Sequence, residues 1–118
     1  MRRVVVTGIG IVSSIGNNTK EVYNSLIHGK SGITKNEDMA SYGFRSQIAG
    51  NIKLDVSEHV DKRSLRFMGP GAAYAHIAME QAINDSGLTE HEVSNIRTGL
   101  VACVLYTSDA ADDMQCVD

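Results

Sequence analysis

The sequence lacks the features that mark several protein classes. Cysteine occurs only twice in 118 residues, and neither Cys103 nor Cys116 stands at a zinc-ligand spacing from any of the four histidines, His28, His59, His76 and His91. No apolar run approaches the roughly 20 residues that a membrane-spanning helix requires. The basic start at residues 1–3 is not followed by the apolar core and cleavage site of a secretory signal. We therefore expect a cytoplasmic protein without a membrane span or a zinc site.

A basic excess is also missing. The chain has 11 basic and 14 acidic residues, for a net charge of −3. All 11 basic residues lie before residue 103, where they are matched by 10 acidic ones, and the last 16 residues add four aspartates and no base. Nucleic-acid-binding surfaces need a clustered surplus of lysine and arginine. A nucleic-acid partner is therefore not expected.

The first 28 residues predict a strand, a glycine turn and a helix. The β-branched run from Val4 to Thr7 is typical of a strand covered on both faces. Gly8 and Gly10 follow, and glycine permits close backbone approach. A helix is predicted from Thr19 to His28, with Asn18 and Glu21 as a capping box and Gly29 as the residue that ends it. This order of elements is the usual start of an α/β domain.

The same opening allows a nucleotide-binding alternative. GIGIVS at residues 8–13 is close to the dinucleotide motif, in which a helix N-terminus holds the pyrophosphate. That motif needs a helix that begins at the glycines, whereas the predicted helix begins several residues later. The acidic residue for the ribose would have to be Glu37 or Asp38, and no convincing strand precedes them. A Rossmann-type module that uses Gly8 and Gly10 remains one alternative hypothesis, and a non-catalytic interaction domain is another.

The middle and end of the chain predict mostly helices. Residues 33–57 are irregular apart from a half-buried strand from Ser46 to Ile52. A short polar helix is expected from Asp61 to Arg66. A long, alanine-rich, buried helix should run from Pro70 to Ser86 and end at Gly87, with His76 as a core residue. Thr89 and Glu92 then form a cap pair, and a buried strand is predicted from Leu100 to Leu105.

Three stretches carry a resemblance to a known family. They are VVVTGIGIVSSIGNN at residues 4–18, GKSGIT at residues 29–34 and DKRSLRFM at residues 61–68. Together and in this order they resemble the N-terminal portion of the β-ketoacyl-acyl carrier protein synthases, most closely the synthase I branch. The resemblance implies an α/β, thiolase-like fold, of which this chain is an incomplete N-terminal part of a layered α/β/α/β/α arrangement. In that family the glycine turn is structural.

The resemblance also predicts where the chain divides. It runs from Met1 to about Ala102, so residues 1–102 are expected to be the N-terminal portion of a synthase domain. Residues 103–118 have no periodicity and no motif of the family. We expect them to be an unrelated tail, disordered or artefactual.

The family elongates fatty acyl chains by decarboxylating Claisen condensation of an acyl thioester with malonyl-carrier protein. A cysteine takes the acyl chain, and two histidines help to decarboxylate the malonyl group. By the resemblance, these residues lie beyond this portion, so we assign no catalytic residue and expect the fragment alone to be inactive. Cys103 is the only tempting substitute, but it occupies a position where the family has glycine. No metal or cofactor is implied, because the substrates are carried on the phosphopantetheine of acyl carrier protein.

The implied partners are acyl carrier protein and, in the full-length enzyme, a second copy of the subunit. Lys62 and Arg66 are four residues apart and share a helix face, with Arg63 beside them. These three residues are either a solvated turn or, as the resemblance implies, the docking site for the acidic carrier protein.

Overall fold

The computed structural model describes residues 3–102 and contains six helical segments and two strands there. These are α1 (Thr19–Ile27), β1 (Ile33–Lys35), α2 (Glu37–Ser41), β2 (Ile48–Gly50), a 3₁₀ turn (Val56–Glu58), α3 (Lys62–Leu65), α4 (Pro70–Ser86) and α5 (Glu90–Val93). The chain divides into two compact units after Leu88. The first unit contains every element through α4, and the second contains α5. No helix in the described range is long and apolar enough to cross a membrane.

The N-terminal segment, residues 3–12, is extended but is not part of a sheet. Val4 and Val6 are 93% and 82% exposed. The prediction of a strand covered on both faces is therefore wrong for this chain. A strand needs a neighbouring strand to satisfy its backbone groups, and no other part of the described chain pairs with this segment.

Side chains of α4 take the place of a neighbouring strand for part of this segment. The backbone N–H of Ile9 donates to Asp85 Oδ2 at 2.9 Å, and that of Ile11 donates to Gln81 Oε1 at 3.1 Å. The amide nitrogen of Gln81 donates in turn to the carbonyl of Asn17 at 2.7 Å. The Gln81 amide thus ties both ends of residues 11–17 to α4.

Gly8 and Gly10 allow the segment to lie directly on the helix backbone. A Cβ added to Gly8 would overlap the carbonyl oxygen of Ala82, and one added to Gly10 would overlap the carbonyl oxygen of Ala78. Neither glycine has a positive φ, so the constraint is contact with α4 and not an unusual backbone conformation.

The predicted start of α1 is confirmed, with one difference in its cap. Asn18 Oδ1 accepts the N–H of Glu21 at 2.9 Å, as in a capping box. The Glu21 carboxylate, however, accepts the N–H of Asn17 at 2.8 Å and the side-chain amide of Asn18 at 3.0 Å. The helix ends at Ile27, and Gly29 adopts φ 59° just after it.

Of the two strands in the small sheet, only β2 was predicted from the sequence. β1 and β2 pair antiparallel, with Thr34 opposite Ala49, and β2 is shorter than the predicted strand from Ser46 to Ile52. β1 and α2 were not predicted, because elements of three and five residues are too short to show a period. The N–H of Asn36 continues the pairing to the carbonyl of Gln47 at 2.7 Å, and its side chain caps α2 by accepting the N–H of Met39 at 3.0 Å.

The predicted bounds of α4 are confirmed, but its burial is less complete than expected. Pro70 stands in the first turn and Gly87 ends the helix at φ 69°. Ala73 and Ile77 are buried, whereas Met79 is exposed, and so is His76, which is therefore not a core residue. The buried apolar residues of the described chain are Val22, Val60, Ala73 and Ile77.

In the second unit, the predicted cap of α5 is confirmed. The Glu92 carboxylate accepts both the N–H of Thr89 at 2.8 Å and its hydroxyl at 2.7 Å. Residues 100–102 are exposed and not in a strand, which is contrary to prediction. The rest of that strand and the expected tail, residues 103–118, lie outside the described residues.

The contact between Gly10 and α4 predicts that alanine substitutions at Gly10 and at Gly71 change the free energy of unfolding differently. Gly10→Ala should lower the free energy of unfolding by roughly 1–3 kcal/mol, because the new methyl group must displace the α4 backbone. Gly71→Ala is the control: it lies in the first turn of α4 and its added Cβ meets no atom within 4 Å, so it should leave the free energy unchanged or raise it by up to about 1 kcal/mol. Urea titration followed by circular dichroism measures both. Equal effects would show that the segment does not contact α4.

The exposed apolar residues predict the behaviour of the isolated chain. Val4, Val5 and Val6 form an uncovered apolar run, and surfaces of this kind associate or bind hydrophobic probes. The 118-residue chain should enhance the fluorescence of an anilinonaphthalene sulfonate dye and scatter light as its concentration rises. A monodisperse chain without dye enhancement would contradict the observed exposure.

Candidate functional site

The strongest candidate site is the cationic turn, defined as Lys62, Arg63 and Arg66 on and just after α3. The N-cap Asp61 holds the start of this helix, since its Oδ2 accepts the N–H of Arg63 at 3.0 Å. The N–H of Leu65 donates to the carbonyl of Asp61 at 3.0 Å. The predicted short polar helix is therefore confirmed, and its start is fixed by a local cap.

All three cations of this turn are exposed. Across residues 3–102 only Lys35 and Glu37 form an ion pair, at 3.1 Å, so the cationic turn has no acidic partner in that range. Ser64 and Leu65 are half-buried. The turn therefore places Ser64 and Leu65 inward and its charges outward, an arrangement that suits contact with an anionic surface.

The glycine turn does not form a nucleotide site. The α4 backbone occupies the space beside Gly8 and Gly10, and α1 begins only at Thr19. The N–H of Asn17 and that of Glu21 are already bound to side chains. Glu37 and Asp38 lie in the first turn of α2, not at the end of a parallel strand. The Rossmann interpretation is therefore wrong for this segment.

Two of the four histidines line one cavity, and no metal-binding group forms within residues 3–102. His59 and His76 line a cavity of about 340 Å³ together with Met79, Glu80 and Ile83. The described part of the chain has no group of three or more histidine, cysteine or acidic residues placed to hold a metal ion. Cys103 and Cys116 lie outside that part. We assign no catalytic residue within residues 3–102.

Within residues 3–102, two carboxyl groups have a shifted pKa, and both act as caps. The hydroxyl and then the N–H of Ser57 hold the pKa of Asp55 below its ordinary value. The N–H and then the hydroxyl of Thr89 lower the pKa of Glu92. Both shifts come from hydrogen bonds to the ionised form at exposed positions. They stabilise local turns.

Two other polar residues with a structural role were not singled out from the sequence. Gln81 and Asp85 hold the N-terminal segment through its backbone. They are four positions apart on the polar strip of α4, and this spacing places them on one face. The spacing of Gln81 and Asp85 was visible in the sequence, but their contact with the N-terminal segment was not.

Comparison with known proteins identifies the family. The family model described as "Beta-ketoacyl synthase, N-terminal domain" matches residues 1–116. The 3-oxoacyl-[acyl-carrier-protein] synthase 1 of Haemophilus influenzae is 57% identical over 101 residues, and that of Escherichia coli K12 is 50% identical over 103. The synthase 2 of Vibrio harveyi is 37% identical over 100 residues. The higher identity to synthase 1 agrees with the predicted branch.

The aligned region is a limited part of these relatives. It covers 86% of this chain but only 25% of the Haemophilus influenzae and Escherichia coli proteins, so the chain spans about a quarter of their length. Because the family model matches nearly the whole chain, and because the three sequence motifs and the structural glycine turn agree with it, the chain belongs to the β-ketoacyl synthase family, as part of its N-terminal domain.

Proposed function

We propose that this chain is the part of a β-ketoacyl-acyl carrier protein synthase I that docks the carrier protein. The complete enzyme elongates fatty acyl chains by decarboxylating Claisen condensation of an acyl thioester with malonyl-carrier protein. Family membership and the activity named for the relatives support this reaction. The observation that carries the docking role is the cationic turn, with its three exposed side chains at Lys62, Arg63 and Arg66.

Electrostatics explains why such a turn suits this role. The carrier protein is acidic, and its phosphopantetheine arm must enter the synthase while the carrier remains outside. A small cationic surface steers the encounter and orients the partner. The Asp61 carboxylate accepts a backbone N–H, and no acidic residue within residues 3–102 forms an ion pair with the three cations.

The wider architecture is also a proposal. We infer that the chain contributes to a layered, thiolase-like α/β/α/β/α fold whose remaining layers cover the apolar run at Val4, Val5 and Val6. The exposure of that run in this chain supports the inference. Assembly as a homodimer in the full-length enzyme, a cytoplasmic location and the division of the chain after residue 102 remain predictions.

Charge reversal tests the docking role. In a synthase that carries this N-terminal portion, Lys62→Glu with Arg66→Glu should raise KM for carrier-bound substrate. Exposed ion pairs are each worth roughly 0.2–1 kcal/mol, so the loss of two costs about 0.4–2 kcal/mol, which corresponds to roughly 2- to 30-fold in KM. Steady-state kinetics should show nearly unchanged activity on a small pantetheine thioester, and the effect should shrink as salt is added.

The matched control reverses two other exposed lysines, Lys20 and Lys30, and changes the net charge equally. It should leave KM for the carrier substrate close to that of the unmodified enzyme. If the Lys62 and Arg66 variant loses activity equally on both substrate types, the turn holds the fold and is not a docking site.

The isolated chain should show no condensing activity. The proposed reaction needs a nucleophilic cysteine and a pair of histidines, and no residue here is assigned to these roles. A radiolabelled malonyl-carrier assay with the 118-residue chain should therefore give background turnover. Turnover above background that Cys103→Ser abolishes would contradict this and would identify Cys103 as the nucleophile.

A further inference from the structure

An exposed aromatic ring stands next to the cationic turn. Phe67 directly follows Arg66 and is 90% exposed. The neighbouring apolar residues of the same turn, Leu65 and Met68, are half-buried. They already supply the inward contacts, so Phe67 is not needed to anchor the turn within this unit.

The backbone of Phe67 is held in place although its side chain is uncovered. Its N–H donates to the carbonyl of Ser64 at 3.0 Å, and the N–H of Met68 donates to the carbonyl of Leu65 at 3.4 Å. These bonds extend the turn of α3 through Phe67. Arg63 lies one turn before Phe67 and Arg66 is its direct neighbour, so the ring is presented among cations.

We propose that Phe67 is the apolar anchor of the docking surface and packs against an apolar patch of the acidic carrier protein. Lys62, Arg63 and Arg66 then contact the carboxylates around that patch. This inference rests on the proposed docking function and adds to it a residue without charge. Aromatic side chains and arginine are enriched at the centres of interfaces, where a few residues supply most of the binding energy.

The cations around Phe67 indicate which kind of partner can bind at this surface. A second copy of this chain that used the same patch would bring six cations together, because a two-fold interface pairs each surface with itself. Like charges placed face to face oppose association. An acidic partner with an apolar centre fits both the ring and its cationic surroundings.

The cations and Phe67 should affect different steps of carrier-protein binding. Surface charges mainly raise the rate of encounter, and salt weakens their effect. Buried apolar contacts mainly slow dissociation, and screening by salt does not remove them. The contribution of Phe67 should therefore persist at a salt concentration at which that of Lys62 and Arg66 is lost.

The experiment uses a synthase that carries this N-terminal portion. Phe67→Ala should raise KM for carrier-bound substrate roughly 10-fold or more, at low and at high salt, with activity on a small pantetheine thioester and the thermal midpoint unchanged. Phe67→Leu should restore much of the loss. Tyr42→Ala is the matched control: Tyr42 is 80% exposed and follows α2, whose first turn carries Glu37 and Asp38, so an acidic partner should avoid it.

The other outcomes separate this inference from the proposed function. If Phe67→Ala leaves the carrier KM unchanged while charge reversal at Lys62 and Arg66 raises it, the docking function holds and the anchor is wrong. If Phe67→Ala lowers the thermal midpoint or reduces activity on both substrates, the rest of the enzyme covers Phe67 and the anchor is again wrong. If neither set of variants changes the carrier KM, the docking function itself fails.

Discussion

The contact between the glycine segment and α4 is the constraint on which the first unit depends. Gly8 and Gly10 bring backbone onto backbone, at a distance that any Cβ would prevent. At such a contact the amides of the segment cannot remain without partners, and Asp85 and Gln81 accept two of them. Gln81 also binds the carbonyl of Asn17, next to the N-cap of α1. One side chain thus links the segment, α4 and the start of α1.

Elements that are determined locally could be predicted from the sequence. Asn18 before α1, Pro70 at the start of α4 and Gly87 at its end act within one turn of the residues that they cap, so their sequence positions fix the helix boundaries. Asp61 does the same for the short helix that carries the predicted docking residues. The exposure of these residues follows from their charge.

Elements that depend on distant partners could not be predicted in the same way. β1 is three residues long and exists because β2 pairs with it, which leaves no period in its own sequence. The opposite error occurs at residues 4–7, where β-branched composition predicts a strand but the described chain provides no neighbour. In the layered fold that we propose, the neighbours of this strand would come from the part of the relatives' length that the chain does not span.

The positions of the acidic residues bear on the docking role that we propose for the cationic turn. At β1, Lys35 is paired with Glu37 two residues away, and this pairing reduces its attraction for an outside anion. Asp61, the N-cap residue just before α3, instead directs its carboxylate to the backbone N–H of Arg63. Residues 61–66 therefore keep a net charge of +2, with three exposed cations and no competing ion pair in the described chain. The Asp61 carboxylate binds the backbone at the start of α3. The residue that holds the helix therefore does not form an ion pair with Lys62, Arg63 or Arg66 in the described chain.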